Sequence, residues 1–236
     1  MNLPRIGVFV PCLLLALGSG AVASAQATNF VTNPTFAPTT PLSGQLYEYD
    51  PSVSGPPYPP ESATFDVPGW TFSPLVPGVS GSGIAGYGSA FGFTSALSGA
   101  LQVGFVQQLA ASISQSITGL TPGDIYDLTF NLEGRPSTGA PPTTVTIGMG
   151  GSPVFSGIPS NNTWTSYSDT FIASSSTEVL TFSSDGTADT TTGIDDPSIT
   201  LVPEGGAALL YVLLAGGACF GAMFFSRNRF ANLASA

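Results

Sequence analysis

The chain contains no histidine and no lysine, and four arginines are its only cations. A serine therefore lacks its ordinary general base, and we predict that the protein is not an enzyme. Both cysteines, Cys12 and Cys219, lie in apolar terminal stretches, so the sequence between them has neither a disulfide framework nor a cysteine-based metal site. Asp195 and Asp196 are adjacent and would face opposite sides of a strand, which does not suit the paired carboxylates of a glycosidase.

Positive charge is nearly absent from the body of the chain. Residues 26–202 hold thirteen acidic side chains against Arg135 alone, a balance of −12. Such a surface repels nucleic acid, so we predict no nucleic-acid partner. Solubility that rests on Asp, Ser, Thr and Asn fits an exported β-protein better than a cytosolic enzyme.

The first 25 residues have the three parts of a secretory signal peptide. Arg5 supplies the positive end, residues 6–17 form a short apolar run, and Ala23 and Ala25 frame a small-x-small cleavage site. We predict cleavage after Ala25, which leaves a body of residues 26–201. An uncleaved membrane anchor is the alternative, although the apolar run is short for a span.

A second apolar run lies near the C-terminus. Residues 205–225 carry no charge and are numerous enough to cross a bilayer as a helix. Arg227 and Arg229 follow, and the positive-inside rule then places residues 231–236 in the cytoplasm and the body outside. We therefore expect a protein that is exported across the inner membrane and initially held there by this helix.

The C-terminal segment, residues 202–230, resembles the PEP-CTERM sorting signal of exosortase substrates in Gram-negative bacteria. Pro203 and Glu204 match the first two motif positions, Gly205 stands where a proline is usual, and Arg227 and Arg229 form the basic end. The resemblance implies processing near Pro203 by an exosortase-like membrane enzyme, then release or attachment at the cell surface. A plain tail anchor with a chance Pro-Glu pair is the alternative.

The body reads as an antiparallel β-sandwich. In residues 124–134, Tyr126, Leu128, Phe130 and Leu132 alternate with polar residues, which predicts a strand with one apolar face. Similar alternation predicts strands around Val145, Ile147 and Met149, around Leu180 and Phe182, and over residues 163–173. Residues 104–114 read as strand, turn and strand, and the proline-rich residues 50–62 as an exposed loop.

The order of these stretches resembles a family of exported bacterial jelly rolls with a galactose-binding-like fold. The resemblance rests on "NFVTNPTF" (29–36), "DVPGWTF" (66–72), residues 113–136 and "GIDDPSITLV" (193–202). It implies glycan binding and a structural Ca²⁺ near the last strand, with Asp195 as a ligand. Ala37 stands where the family's N-terminal acidic ligand is usual, and the alternative is that Asp195 and Asp196 cap a turn before the last strand.

Sugars dock on exposed aromatic faces, so the loop aromatics are the candidate glycan-binding residues. We select Tyr87, Phe91 and Phe93, with Tyr47, Tyr49 and Tyr58 as further surface aromatics; packing within the loops is the alternative. Trp70 and Trp164 are predicted to lie in the core. Arg135 either binds a sugar carboxylate or pairs with a neighbouring acid.

Three functions follow from these observations. The first is an exported surface or matrix protein with a structural or adhesive sandwich, associated with exopolysaccharide. The second is a glycan-binding module with a defined sugar ligand, stabilised by Ca²⁺ if the Asp195 site exists. The third, a hydrolase, has no catalytic residues to support it.

Overall fold

The computed structural model describes residues 27–39, 47–49, 66–76, 80–135, 143–186 and 189–203. Within these ranges the chain forms ten β-strands and no helix. In chain order the strands are β1 (Tyr47–Tyr49), β2 (Thr71–Phe72), β3 (Ser80–Gly86), β4 (Gln102–Thr118), β5 (Ile125–Gly134), β6 (Val145–Met149), β7 (Ser152–Gly157), β8 (Thr165–Ile172), β9 (Thr177–Asp185) and β10 (Thr191–Leu201). All pairings between these strands are antiparallel, which confirms the all-β prediction.

The strands form two layers that share β4. Sheet A runs β1, β3, β4, β10, β5 and β8, and sheet B runs β2, β4, β9, β6 and β7. Phe130 of sheet A meets Phe182 of sheet B edge to face, with ring centroids 6.0 Å apart. The layers therefore pack face to face around one apolar core.

Strand β4 passes from one sheet to the other without a turn. Its first half pairs with β3 and β10, and its second half pairs with β2 and β9. A register shift lies between Leu109 and Ser112, and Gln108 and Ala110 have φ of 61° and 59°. The prediction of strand, turn and strand is therefore wrong at its centre, because a bulge bends one continuous strand.

The predicted core residues lie where alternation placed them. The apolar positions of β5, β6 and β9 are all buried between the sheets: Tyr126, Leu128, Phe130, Leu132, Val145, Ile147, Met149, Leu180 and Phe182. Trp70 and Trp164 are buried as predicted, and Trp70 stacks on Phe36 at 4.6 Å. Alternation thus identified the inner face of each of these strands.

The face of sheet A that points away from sheet B is called here the outer face. It carries the odd-numbered side chains of β5, since the even-numbered ones fill the core. Residues 87–101, which connect β3 to β4 and are called here the covering loop, lie across one half of this face. The other half, on β5, β8 and the end of β10, contains the candidate site.

Candidate functional site

The covering loop is attached to sheet A by a second apolar cluster. Phe91 and Phe93 from the loop pack with Phe105 of β4 and with Trp164, which directly precedes β8. The Phe91 and Phe105 centroids are 4.6 Å apart, and those of Phe93 and Trp164 are 6.3 Å apart. The Trp164 indole N–H also donates to the Thr94 carbonyl at 3.1 Å.

This packing corrects the prediction that the loop aromatics face solvent. Phe91 and Phe93 are each only 3% exposed, so neither offers a ring face to a sugar. Tyr87 is half-buried, and its hydroxyl accepts a hydrogen bond from the Ala96 backbone N–H at 2.6 Å. Tyr47 also packs on this cluster, 4.7 Å from Phe91, while Tyr58 lies outside the described residues. The three selected aromatics therefore build the loop.

Two buried carboxylates hold the covering loop by the same pattern of hydrogen bonds. Glu133 of β5 accepts from the Thr94 backbone N–H at 3.0 Å and from its hydroxyl at 3.0 Å. Asp195 of β10 accepts from the Ser98 backbone N–H at 3.0 Å and from its hydroxyl at 2.7 Å. Both side chains are fully buried, and burial raises the pKa of each carboxyl. Alternation in β5 predicts only that Glu133 faces outward, and nothing local indicates that a loop buries it.

In this structure Asp195 is an attachment point for the covering loop, since both of its carboxylate oxygens accept from Ser98. Among the described residues, no three acidic, cysteine or histidine side chains come together as metal ligands, and the role of Asp195 as a Ca²⁺ ligand stays a prediction. The alternative that Asp195 and Asp196 cap a turn is wrong, because both lie inside β10. A one-residue bulge there leaves Asp195 buried under the loop and Asp196 exposed, with a φ of 48°.

Arg135, the only cation among the described residues, is paired with an acid. Its guanidinium lies 3.1 Å from the Asp189 carboxylate and 5.0 Å from the centre of the Phe91 ring. It also donates to the Ala90 carbonyl at 3.2 Å. Of the two roles predicted for this arginine, the structure shows the ion pair, which joins the end of β5 to Asp189 just before β10. The separate hydrogen bond to Ala90 joins Arg135 to the covering loop.

The uncovered half of the outer face contains a groove of about 410 Å³. Small polar side chains from neighbouring strands form its floor, and the covering loop contributes Leu97, which is 59% exposed. Five polar side chains line it: Thr129 and Asn131 of β5, Ser166 and Ser168 of β8, and Asp196 of β10. No local sequence signal marks them as a site, because polar side chains on the outward positions of a strand look like ordinary solvent-facing residues.

Hydrogen bonds between β5 and β8 fix the floor of the groove. The Ser166 hydroxyl donates to the Asn131 side-chain oxygen at 2.6 Å. The Ser168 hydroxyl donates to the Asp127 carboxylate at 2.8 Å. The strands themselves pair from Ile125–Ile172 to Leu132–Thr165. The polar side chains of the floor are thus held in place by bonds between the two strands.

The predicted sorting motif begins where the described sandwich ends. The Val202 N–H donates to the Ile125 carbonyl at 2.9 Å, and Pro203 is exposed directly after it. Ala23, Ala25, Glu204, Gly205, Arg227 and Arg229 lie outside the described residues. Across the described part of the chain, no helix has the length and hydrophobicity of a membrane span.

Several solved structures resemble the fold at low identity. One is TmCBM61 in complex with β-1,4-galactotriose, with 13% identity, a TM-score of 0.43, and coverage of 75% of this chain and 100% of that one. Another is the CBM22-1 xylan-binding domain of Paenibacillus barcinonensis Xyn10C, with 14% identity, a TM-score of 0.41, and coverage of 58% and 88%. A third is the arabinose-bound arabinofuranosidase MgGH51, with 10% identity, a TM-score of 0.47, and coverage of 74% and 26%.

Sequence comparison gives a clearer relationship. No curated protein sequence matches the chain. A family model described as "Protein of unknown function (DUF642)" matches residues 47–200, which is more than half of the chain and includes all ten strands except the last residue of β10. The protein therefore belongs to the DUF642 family.

Proposed function

We propose that this chain is an exported cell-surface protein whose sandwich binds a glycan in the groove on the outer face of sheet A. The observation that carries the proposal is the groove itself. It is a concave site of about 410 Å³ whose lining carries hydroxyl, carboxamide and carboxylate side chains, together with atoms of Phe130 and Tyr167. We also propose that the sandwich is a jelly roll of the galactose-binding-like type.

The chemistry of the floor suits a sugar. Each sugar hydroxyl both donates and accepts hydrogen bonds, so a surface of paired polar groups can match several of them at once. Ser166 and Ser168 are already held by Asn131 and Asp127, so their oxygens stay in place when a ligand arrives. Binding to a preorganised surface loses less entropy than binding to a mobile one.

Leu97 gives the groove an apolar wall. Its side chain stands on the covering loop at the edge of the floor and is mostly exposed. The C–H groups of a sugar ring are apolar, and a leucine beside a polar floor can cover them while the ring hydroxyls bond to the strands. This wall replaces the aromatic platform that the sequence predicted.

A matched pair of variants tests the groove. Ser166 and Ser156 are both exposed serines on edge strands, β8 in sheet A and β7 in sheet B. The purified full chain is assayed against a panel of soluble polysaccharides by affinity electrophoresis. We expect retardation by at least one glycan, loss of retardation in Ser166→Leu, and no change in Ser156→Leu. Absence of binding to every glycan, or equal loss in both variants, contradicts the proposal and leaves a structural or adhesive role.

The surface location rests on the C-terminal segment. Pro203, Glu204, the apolar residues 205–225 and the arginines after them support sorting by an exosortase-like enzyme. The exposure of Pro203 next to the last strand is compatible with access by such an enzyme. The test is the mass of the protein isolated from its own cells, with and without that enzyme. A form ending near Pro203 that disappears with the enzyme supports sorting, and an intact Ala236 terminus in the inner membrane contradicts it.

A further inference from the structure

The donors and acceptors of the groove are unevenly distributed. A hydroxyl has one hydrogen to donate and two lone pairs to accept with. Ser168 donates its hydrogen to the Asp127 carboxylate, and Ser166 donates its hydrogen to the Asn131 oxygen. Both serine oxygens therefore face the groove as acceptors. The remaining donors on the floor are the Thr129 hydroxyl and the Asn131 amide.

The one charged side chain that lines this groove is negative. Asp196 lines the groove from the bulge in β10, where its side chain is exposed. A second carboxylate, Asp127 of β5, does not line the groove but accepts the hydroxyl hydrogen of Ser168, which does. No arginine lines the groove, and Arg135, the one cation of the described residues, is engaged by Asp189. An anionic ligand would find neither a positive partner nor enough donors here.

From these observations we infer that the groove selects a glycan with protonated amino groups, a hexosamine polymer, and rejects polyuronates. The inference rests on the proposed function and adds its ligand class. An ammonium group offers three donors and a positive charge, which match the acceptor oxygens of the serines and the Asp196 carboxylate. An N-acetylated sugar keeps the hydroxyl donors but loses the charge. A uronate adds an acceptor and a negative charge, both of which the groove opposes.

The experiment compares three pentasaccharides of equal length: glucosamine, N-acetylglucosamine and galacturonate. The purified full chain is titrated by calorimetry at about pH 5.5, where a sugar amine is protonated. We expect the glucosamine pentamer to bind about tenfold tighter than the N-acetylated one. We expect no heat of binding from the galacturonate pentamer.

Two variants separate a groove effect from the general acidity of the protein. Asp196→Asn removes the carboxylate that lines the groove, and Asp185→Asn removes an exposed carboxylate at the end of β9 in sheet B. Asp196→Asn is expected to lower the preference for glucosamine over N-acetylglucosamine about three- to fivefold. Asp185→Asn is expected to leave that preference unchanged.

The outcomes are distinct. Equal binding of galacturonate, or equal loss of preference in the two variants, overturns the inferred ligand class while glycan binding stands. Failure of all three pentamers alongside binding of another polysaccharide also overturns it. Failure of these pentamers and of the whole polysaccharide panel overturns the proposed function itself.

Discussion

Ser98 and Asp195 are 97 residues apart in sequence, yet the Ser98 backbone N–H and hydroxyl both donate to the Asp195 carboxylate, at 3.0 and 2.7 Å. Thr94 is bonded to Glu133 in the same way. Leu97, the apolar wall of the groove, lies between these two attachment points. The two buried carboxylates therefore set the position of the groove wall on sheet A.

The first prediction concerns the pH dependence of stability. Burial raises the pKa of Glu133 and Asp195, so the folded chain holds their protons more tightly than the unfolded chain does. Their contribution to the free energy of unfolding is fully present below the unfolded pKa and is lost as pH rises through the raised folded pKa. Gln does not titrate. In Glu133→Gln, the free energy of unfolding measured in urea is therefore expected to fall less than in the unmodified chain as pH rises through this interval.

Asp185→Asn is the control for this pH effect, since Asp185 is exposed in sheet B. A plot of its free energy of unfolding against pH should run parallel to that of the unmodified chain. If Glu133→Gln also runs parallel, burial of this carboxyl does not account for the dependence.

The second prediction concerns Phe91 as a core residue. Its ring is 3% exposed and packs on Phe105 and Tyr47. Phe91→Ala is expected to lower the free energy of unfolding by about 3–5 kcal/mol, because it leaves a cavity under the covering loop. In the same loop Leu101 is 68% exposed, and Leu101→Ala should cost less than about 0.5 kcal/mol. Similar small losses in both variants would show that the loop is not packed as described.

The third prediction concerns the close approach of the covering loop to β10. A Cβ at Gly193 would lie 2.9 Å from a Phe93 ring atom and 3.0 Å from a Trp164 ring atom. Gly193→Ala is therefore expected to destabilise the chain by about 1–3 kcal/mol through overpacking. In a double-mutant cycle with Phe93→Leu, the smaller side chain should relieve part of that cost. Strict additivity of the two changes would contradict this contact.

The fourth prediction concerns the backbone of the bulge. Asp196 has a φ of 48°, a conformation that asparagine accepts and a β-branched residue resists. Asp196→Asn should leave the free energy of unfolding nearly unchanged, which makes it a clean variant for ligand studies. Asp196→Val should lower it by about 1–2 kcal/mol. Equal stability of the two variants would show that the bulge relaxes to an ordinary strand.

The inner faces of the sandwich were predictable because their signal is local. Tyr126, Leu128, Phe130 and Leu132 alternate within one strand, and period-two alternation reports a half-buried strand whatever covers it. The burial of Trp70 and Trp164 also followed from the chemistry of the residue. These features need no knowledge of distant parts of the chain.

The candidate site was not predictable because it depends on distant contacts. Glu133 and Asp127 occupy equivalent outward positions of β5, yet the covering loop buries the first, while the second is partly exposed and bonded to Ser168. Phe91 and Phe93 sit in a glycine- and serine-rich stretch without periodicity, so nothing local indicates that they pack on Phe105. The one-residue bulge between Asp195 and Ser198 is equally invisible in an alternating pattern.

The measurement that tests the central claim most directly is the map of ligand contacts on the purified full chain. Amide chemical shifts are followed by NMR as a polysaccharide that retards the chain is added. The account predicts shifts at Leu97, Thr129, Asn131, Ser166, Ser168 and Asp196, and none in sheet B. Shifts confined to β6, β7 and β9, or no shifts with any glycan, would contradict a glycan site on the outer face of sheet A.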